Sequence, residues 1–355
     1  MKILVLRFSS IGDIVLTTPV LRGLKQQVPG AQVHFCTKPA YRSILESNPY
    51  VDKTHYLTGT LGELVKELKA EKFDYVVDLH NNLRTNMLKL RLGVQASSFD
   101  KLNLQKWLLV RFKVNTLPHV HIVDRYLAAA APLGVRNDGK GLDYFIPNRD
   151  EVDLQVLPTE FQRGYVAFAI GAQHATKRLP VERMIELCTL LRRPVVLLGG
   201  PEDESTGHVI ELHFEHQQAI AETPAPRTVP DSPYYFPRRN FENRAAKTLI
   251  YNACGQFSLN QSASLVRQAQ FVVSHDTGLM HIAAAFKKEI FSVWGNTVPA
   301  FGMYPYRTEF RILEREGLSC RPCSKIGYAK CPLGHFKCMR EISFNLDLPP
   351  TRDGR

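Results

Sequence analysis

Long hydrophobic segments are missing from this chain of 355 residues, of which 44% are apolar and 22% are charged. No apolar run reaches the roughly 18 residues that a membrane-spanning helix requires. The pattern of a signal peptide is missing too, because the first residues read as a β-strand and no small-residue cleavage site follows. We therefore expect a cytoplasmic protein that is long enough for two domains of ordinary size.

Three sequence signatures of common enzyme classes are also absent. The first strand is not followed by G-x-G-x-x-G, which argues against a nicotinamide-dependent oxidoreductase. Neither the G-x-x-x-x-G-K-[ST] loop of P-loop NTPases nor the H-E-x-x-H motif of zinc proteases occurs. An oxidoreductase is kept as an alternative that a lack of NAD(P)H binding would exclude. A non-catalytic lipid-binding or nucleotide-binding protein is kept as a second alternative.

Acidic residues are fewer than basic residues, 34 against 45, so the formal net charge is +11. This excess favours an anionic partner such as a nucleic acid, an anionic lipid or a phosphorylated substrate. Between His80 and His121, seven basic residues stand against one acid, Asp100. The seven are Arg84, Lys89, Arg91, Lys101, Lys106, Arg111 and Lys113.

A compact apolar group lies inside this basic region. Residues 107–110, with the sequence Trp-Leu-Leu-Val, are flanked by Lys106 and Arg111. Aromatic and aliphatic side chains mixed with basic ones are typical of a segment that lies in a membrane interface. The alternative is a solvated helix whose apolar face packs on its own domain.

Strand-like and helical patterns alternate along both halves of the chain, which is typical of parallel sheets with crossover helices. The first half contains predicted strands at 2–8, 31–37 and 74–80 and helices at about 13–27, 61–70, 82–92 and 121–131. The second half contains predicted strands at 165–171, 195–200, 271–276 and 290–295. We therefore predict an α/β protein with two Rossmann-like domains facing one another, at 1–150 and 151–355. Residues 205–246 interrupt the pattern and are predicted to form a surface insertion or loop rather than core.

Three polar loops follow predicted strands of the second half and should meet at one sheet edge. They read GAQHATKRLP (171–180), GGPEDE (199–204) and SHDTGLMHIAAAF (274–286). Backbone N–H groups at Thr277 and Gly278, at the start of a helix, would bind an anion such as a diphosphate, with Lys177 nearby. Taken singly, each loop is better explained by helix capping, and Asp276 is a suitable N-cap residue. The three together favour a nucleotide-sugar site.

Together with the start of the chain, RFSSIGDIVLTTPVLRGLK, these loops resemble the ADP-heptose:lipopolysaccharide heptosyltransferases of glycosyltransferase family 9. The resemblance covers most of the chain. Its further motifs are VVDLHNNLRT (76–85), HIVDRYL (121–127), TKRLP (176–180), GGPED (199–203) and FVVSHDTGLMHIAAAF (271–286). It implies the GT-B fold and an inverting sugar transfer across the cleft between the two domains. The runner-up is a GT-B enzyme that uses another nucleotide sugar or another cell-envelope glycan as acceptor.

For the first domain, the resemblance implies that Asp13 is the general base on the acceptor hydroxyl. Direct displacement at an anomeric carbon needs one base, on the face opposite the leaving diphosphate. Ser9, Ser10 and Gly12 would let the backbone approach the donor phosphate or the acceptor. The alternative is that Asp13 only interacts with the positive end of the following helix.

For the second domain, the resemblance implies a donor site. Lys177 would neutralise the departing ADP, and Thr277 and Gly278 would donate hydrogen bonds to the diphosphate. Asp276 would bind sugar hydroxyls, while His281 would support that loop or the phosphate. Asp203 matches an acid that contacts the ribose, although the adjacent Glu202 and Glu204 are also suitable.

The acceptor that the resemblance implies is the phosphorylated lipid A–Kdo precursor on the inner leaflet of the inner membrane. Five residues of the basic segment are suited to that anionic surface, and no nucleic-acid partner is expected. They are Lys101, Lys106, Trp107, Arg111 and Lys113. The enzyme would be peripheral on the inner membrane, and the family needs no obligatory metal or other cofactor.

The seven cysteines form two groups. Cys36, Cys188 and Cys254 lie in apolar runs and are predicted to be core residues. The other four, Cys320, Cys323, Cys331 and Cys338, follow the pattern C-x2-C-x7-C-x6-C. In a cytosolic protein such a cluster suggests structural zinc before disulfides, although only the first pair has the usual spacing of a zinc site. Reduced thiols without metal are the alternative.

Overall fold

The computed structural model describes residues 1–222 and 248–349, with the side chains of 1–217 and 248–349. Eleven strands occur in this part of the chain. They are β1 Lys2–Leu6, β2 Gln32–Thr37, β3 Lys53–Tyr56, β4 Tyr75–Asp78, β5 Ala96–Ser98, β6 Val166–Ala169, β7 Val195–Leu198, β8 Ile250–Asn252, β9 Val272–His275, β10 Ile290–Trp294 and β11 Phe310–Glu314.

Thirteen α-helices occur in the same described ranges, most of them between consecutive strands. They are α1 Ile11–Val15, α2 Thr18–Gln27, α3 Arg42–Leu45, α4 Leu61–Ala70, α5 Leu83–Leu92, α6 Asn103–Phe112, α7 Ile122–Ala130, α8 Thr159–Gln162, α9 Val181–Leu191, α10 Glu204–Glu222, α11 Leu259–Gln268, α12 Gly278–Ala285 and α13 Lys337–Arg340. None of the described helices is long and apolar enough to cross a lipid bilayer.

The strands form two separate sheets. The first has the order β3-β2-β1-β4-β5 and the second the order β11-β10-β9-β6-β7-β8. Every strand pairing in both sheets is parallel. Parallel neighbours require crossover connections, as the alternating pattern predicts. The prediction of two Rossmann-like domains is confirmed, while the boundary at residue 150 stays a prediction.

The helix predicted over 13–27 is divided into α1 and α2. Pro19 lies in the first turn of α2, where its missing N–H costs nothing. Within a continuous helix, Pro19 could not donate to the carbonyl of Val15, so α1 ends there and a new helix begins at Thr18. The short α1 places its first turn directly after β1, at the carboxyl edge of the first sheet.

The core is continuous between the two sheets. One buried cluster contains residues of the first sheet, such as Val5, together with residues of the second domain, such as Ala167 and Met280. Two further clusters cover the outer faces of the two sheets. The shared cluster holds the carboxyl edges of both sheets close to one another, which is where parallel α/β sheets bind ligands.

The predicted insertion at 205–246 is corrected in its first part. Residues up to Glu222 continue helix α10, and Ile210 and Phe214 are buried against the outer face of the second sheet. The several histidines interrupt the apolar pattern, so the sequence did not indicate this helix. The two apolar residues, four positions apart, lie on one face of the helix and bring that face into the core. Residues 223–247 lie outside the described residues.

Candidate active site

Asp13 lies in α1, immediately after the central strand of the first sheet. Its Oδ2 atom is 2.7 Å from Nη2 of Arg7 and accepts a hydrogen bond from the Ser10 hydroxyl (2.8 Å). The Ser10 backbone N–H donates to the same oxygen at 3.2 Å. Asp13 therefore caps the helix and pairs with Arg7 as well. In the described part of the chain no donor contacts Oδ1, which leaves this oxygen for a substrate proton.

The surroundings of Asp13 keep its carboxylate ionised. Burial raises its pKa, but attraction to Arg7 and the hydrogen bonds from Ser10 outweigh burial, so the net pKa is lowered. Arg7 is itself fixed by the Ser9 and Leu79 carbonyls and the Tyr126 hydroxyl. A general base must be deprotonated and positioned, and this carboxylate meets both requirements.

On the second sheet, polar residues follow the neighbouring strands β10, β9 and β6. Lys177 donates from Nζ to Oδ2 of Asp276 at 2.6 Å and to its carbonyl at 3.2 Å. The Thr297 hydroxyl donates to the same carboxylate oxygen at 3.0 Å. Asp276 is nearly buried, and its contacts hold the Lys177 amine at the sheet edge. The fold brings together Lys177 and Asp276, which the sequence analysis singled out. It adds Thr297, which the sequence analysis did not identify.

Asp276 is not the cap of the following helix, as the capping alternative would require. The N-cap of α12 is Thr277, and no side chain caps its first turn. The Thr277 hydroxyl lies 3.4 Å from that of Ser274. The first N–H groups of α12 therefore have no side-chain cap, and the anion predicted at Thr277 and Gly278 stays a prediction.

The two domains meet where α1 and α12 begin. A Cβ atom on Gly12 would lie 2.6 Å from Cδ2 of His281 and 3.4 Å from Cα of Gly278. A Cβ atom on Gly278 would lie 2.6 Å from Cγ2 of Ile11. Both glycines are therefore needed for close approach, because any side chain would push the two sites apart. Asp13 follows Gly12 and Asp276 precedes Gly278 by two residues, so the two carboxylates belong to the two domains that meet at this contact.

His281 is buried at the same contact. Burial lowers its pKa to about 4, so the ring is neutral, and its Nδ1 has no partner among the described residues. Charges on Asp276, Asp13 and Lys177 all act on this ring. Of the two roles predicted for His281, the neutral ring favours support of the loop over charge pairing with phosphate.

Asp203 lies where the chain turns into α10. It is buried in the turn before α10, where Oδ2 accepts the Gly200 N–H (3.0 Å) and Oδ1 lies 3.2 Å from Nη1 of Arg178. Burial raises its pKa. With both oxygens engaged, Asp203 organises the turn, while the adjacent Glu202 and Glu204 are exposed. A carboxylate on the ribose stays a prediction, and these two acids are better placed for it than Asp203.

The basic segment is only partly the free surface that the sequence predicts. Leu109 is buried against Phe301 of the second domain, because α6 packs across the cleft. Lys113 donates from Nζ to the carbonyls of Cys320 (3.2 Å) and Pro322 (2.7 Å). Lys106 is half-buried, 6.0 Å from the centre of the Phe301 ring. Leu109 and Lys113 therefore make interdomain contacts, and the acceptor or membrane role of the exposed Lys113 stays a prediction.

The outer face of α6 remains exposed. Trp107 is 48% exposed and stacks edge-on against Phe112, which is 58% exposed, at a ring-centre distance of 5.2 Å. Leu104 and Arg111 lie on the surface as well. One face of the helix packs inside and the other faces solvent, so the membrane contact of this segment stays a prediction.

The four cysteines of the segment 320–338 are free thiols. Burial and the neighbouring thiols Cys320 and Cys331 raise the pKa of Cys323, and burial raises the pKa of Cys338 to about 12. In the described part of the chain, only His34, His55 and Glu71 bring three donor atoms within 4.8 Å of one another. The sulfur atoms are therefore not arranged as closely as a tetrahedral zinc site requires.

Arg7 and Thr297 are the site residues that the sequence analysis missed. Arg7 is the last basic residue before the SSIGD motif, at the end of a buried strand. Thr297 follows the strand at 290–295, in the sequence WGNT. A search of every strand end for polar residues would have found both, because carboxyl ends of parallel strands share one edge.

Comparison with known proteins agrees with this geometry. The model of "Glycosyltransferase family 9 (heptosyltransferase)" matches residues 61–228 and 238–333, more than half of the chain. Lipooligosaccharide heptosyltransferase 2 of Haemophilus influenzae is 24% identical, over 92% of this chain and 93% of that protein. The structure of Escherichia coli ADP-heptose LPS heptosyltransferase II aligns with a TM-score of 0.64 at 21% identity, over 92% of each chain.

A second solved structure, E. coli heptosyltransferase WaaC with ADP, aligns with a TM-score of 0.60 at 22% identity, over 88% of this chain and 93% of that one. These likenesses show that the two facing sheets are arranged as in the GT-B fold. The fold, the paired loops at the cleft and the family match lead to one conclusion: the chain is a glycosyltransferase that belongs to glycosyltransferase family 9.

Proposed function

We propose that this enzyme transfers a heptose from ADP-heptose to the Kdo–lipid A inner core of lipopolysaccharide, with inversion at the anomeric carbon. The observation that carries the proposal is the junction at Gly12 and Gly278, which puts one ionised carboxylate opposite an uncapped helix start and a lysine. The named relatives, heptosyltransferases of lipopolysaccharide and lipooligosaccharide, support the choice of sugar and acceptor.

In this proposal Oδ1 of Asp13 takes the proton of the acceptor hydroxyl. The acceptor oxygen then forms a bond to the anomeric carbon while the bond from that carbon to the diphosphate breaks, and ADP leaves with its electron pair. Lys177 and the first N–H groups of α12 neutralise the charge that develops on the diphosphate. Asp276, which already holds Lys177, accepts hydrogen bonds from sugar hydroxyls. The proton on Asp13 finally passes to solvent.

A thermal-shift panel of ADP-, UDP- and GDP-linked sugars tests the donor. A ligand that binds only the folded state raises the melting temperature by mass action. We expect ADP-heptose to give the largest shift, and product analysis with Kdo–lipid A to show a single added heptose. Equal shifts for UDP-sugars, or transfer of another sugar at a higher rate, would contradict the proposal.

The same proposal places the enzyme on the cytoplasmic face of the inner membrane, with α5 and α6 towards the lipid. On α5, Leu83, Met87 and Leu90 are exposed at positions i, i+4 and i+7, so they share one face. The exposed face of α6 carries Trp107 beside Arg111. Apolar side chains next to basic ones bind anionic interfaces.

Flotation with anionic vesicles at low salt tests this surface, because screening is then weakest. The double variant Trp107→Ser with Arg111→Glu should lose most vesicle binding while folding normally. Leu190→Ser with Leu212→Ser, two exposed leucines of the second domain, is the matched control and should bind as the wild type does. Unchanged binding of the first variant would refute the membrane surface without affecting the proposed chemistry.

Zinc at the Cys-rich segment, defined as residues 320–338, is not part of the proposed mechanism. The C-x2-C pair supports a metal site, but the described sulfur atoms do not converge as a tetrahedral zinc site requires. We therefore expect reduced thiols without metal, which is the alternative that the sequence left open, and no catalytic step depends on zinc.

A further inference from the structure

Three lysines lie near the start of α6, two from the first domain and one from the second. Lys325, in the Cys-rich segment, donates from Nζ to the carbonyl of Asn103 at 3.1 Å. Asn103 is the first residue of α6, with Lys101 two residues before it and Lys106 within the first turn. A contact across the cleft therefore adds a third amine to two that the first domain supplies.

These amines have no carboxylate partner among the described residues. The neighbouring Asp100 uses Oδ1 to accept the N–H of Leu102. Below them lies Arg125, only 7% exposed, which donates to the carbonyls of Asp100 (3.3 Å) and Phe301 (3.1 Å). Its Nε has no partner within the described part of the chain. Lys101 and Lys106 are half-buried, while Lys325 is exposed. Asp13 attracts both half-buried amines but forms no ion pair with them in the described part of the chain, so an anion at this place would be bound favourably.

Burial and the neighbouring cations both act on the amine of Lys106. Burial lowers its pKa to about 8, and repulsion from Arg125, Lys325 and Lys101 adds to the effect. Burial also lowers the pKa of Lys101, with further repulsion from Arg7 and Lys325. An anion between these amines would remove this repulsion.

The lysine cluster belongs to the acceptor side of the cleft. The charge of Asp13 acts on both Lys101 and Lys106, so the general base lies within electrostatic reach. The start of α6 has no side-chain cap, which leaves its first N–H groups facing the same place. The donor diphosphate has a separate set of groups at α12, where Lys177 is already paired with Asp276.

We infer that Lys101, Lys106 and Lys325 form a cradle for an anionic group of the acceptor, so that the Cys-rich segment of the donor domain takes part in acceptor binding. The inference rests on the proposed function. The group is an oxyanion, either a carboxylate or a phosphate of the acceptor. Because the cradle is built from both domains, a bound acceptor holds the cleft closed.

The position of the Cys-rich segment supports this role. Lys113 fixes the carbonyls of Cys320 and Pro322 from the first domain. The backbone N–H of Tyr328 donates to the hydroxyl of Thr176 at 2.8 Å, one residue before Lys177. The same segment is thus attached to α6 and to the donor loop, and it places Lys325 between the two.

The test replaces Lys325 with Gln and measures transfer from ADP-heptose to O-deacylated Kdo–lipid A. We expect the acceptor KM to rise about tenfold, which corresponds to about 1.4 kcal/mol. The donor KM and kcat should stay within about twofold. Lys330→Gln is the matched control, because Lys330 is exposed in the same segment without any contact in the described part of the chain. An acceptor KM within twofold of wild type for Lys325→Gln, or an equal rise for Lys330→Gln, would overturn the inference.

Removal of the acceptor's phosphates identifies the oxyanion. If the KM difference between Lys325→Gln and wild type disappears on this acceptor, the cradle binds a phosphate; if it persists, the cradle binds a carboxylate.

Lysine acetylation followed by mass spectrometry, with acceptor but no donor, separates this inference from the proposed function. Protection of Lys101, Lys106 and Lys325 by the acceptor, together with no heptose transfer in a separate assay that contains ADP-heptose, would uphold the cradle and refute the sugar assignment. Transfer without protection would do the reverse.

Discussion

Replacement of Asp13 by Asn tests the central assignment of the site. The amide keeps the shape of the side chain and can still accept the Ser10 hydrogen bonds through one oxygen, but it cannot take a proton at neutral pH. General-base catalysis contributes about 10²–10⁴-fold, or about 3–5 kcal/mol of transition-state stabilisation. We expect kcat to fall by that factor while affinity for ADP-heptose stays nearly constant, because a base acts mainly in the transition state.

The same substitution should reduce stability by a smaller amount. Arg7 loses the one carboxylate contact that it makes among the described residues, at 2.7 Å, but keeps hydrogen bonds to Ser9, Leu79 and Tyr126. One lost charge-assisted hydrogen bond in a partly buried site corresponds to about 1–3 kcal/mol of unfolding free energy. The variant should therefore fold, and denaturant unfolding measures the loss directly.

Transfer is best measured with radiolabelled donor under single-turnover conditions, with ADP binding measured by calorimetry. Asp52→Asn serves as the control, since Asp52 also pairs with a cation, Lys25, but lies at the opposite edge of the first sheet. A remaining rate above about a tenth of wild type would remove Asp13 from the role of base.

The pH dependence of the transfer rate gives a second check. Because the pKa of Asp13 is lowered, activity should persist at acidic pH and decline only below the range in which an ordinary aspartate titrates.

Three further results follow from the contacts of the site. Lys177→Ala should weaken ADP binding, and Asp276→Ala should weaken nucleotide-sugar binding more than ADP binding. Because the two side chains are paired, the double variant should lose less binding free energy than the sum of the losses of the two single variants. The acceptor KM should rise as the pH passes about 8, where Lys106 loses its charge, and Lys106→Arg should remove that rise. Protein purified under reducing conditions without added metal should contain less than about 0.2 equivalents of zinc; near-stoichiometric zinc that is lost in Cys320→Ser would contradict this.

The inner strands of both sheets could be predicted because they are buried on both faces. Their runs of Val, Ile and Leu, such as KILVL in β1 and VVLL in β7, are continuous and apolar. The four strands that the sequence did not indicate, β3, β5, β8 and β11, are the four edge strands. Each is short or half exposed, so its side chains need not be apolar, as KTHY and ASS illustrate.

The loops of the site were predictable for a related reason. Asp13, Lys177 and Asp276 all lie in the loops or first helical turns that follow inner strands. In a parallel sheet, the segments that follow the strands all begin at the same edge. By itself, the sequence therefore determined the fold class, the two domains and the main polar groups of the cleft.

The partners of those groups were decided only by the tertiary structure. The exposed and buried faces of α6, the burial of Asp203 and the contact of Lys113 with Cys320 depend on how the two domains pack. Lys325 reaches Asn103 from 222 positions away in the chain. No local pattern encodes such a contact, because it depends on the relative position of two separately formed sheets. The sequence specifies which charges are present, and the packing specifies which of them are left without a partner.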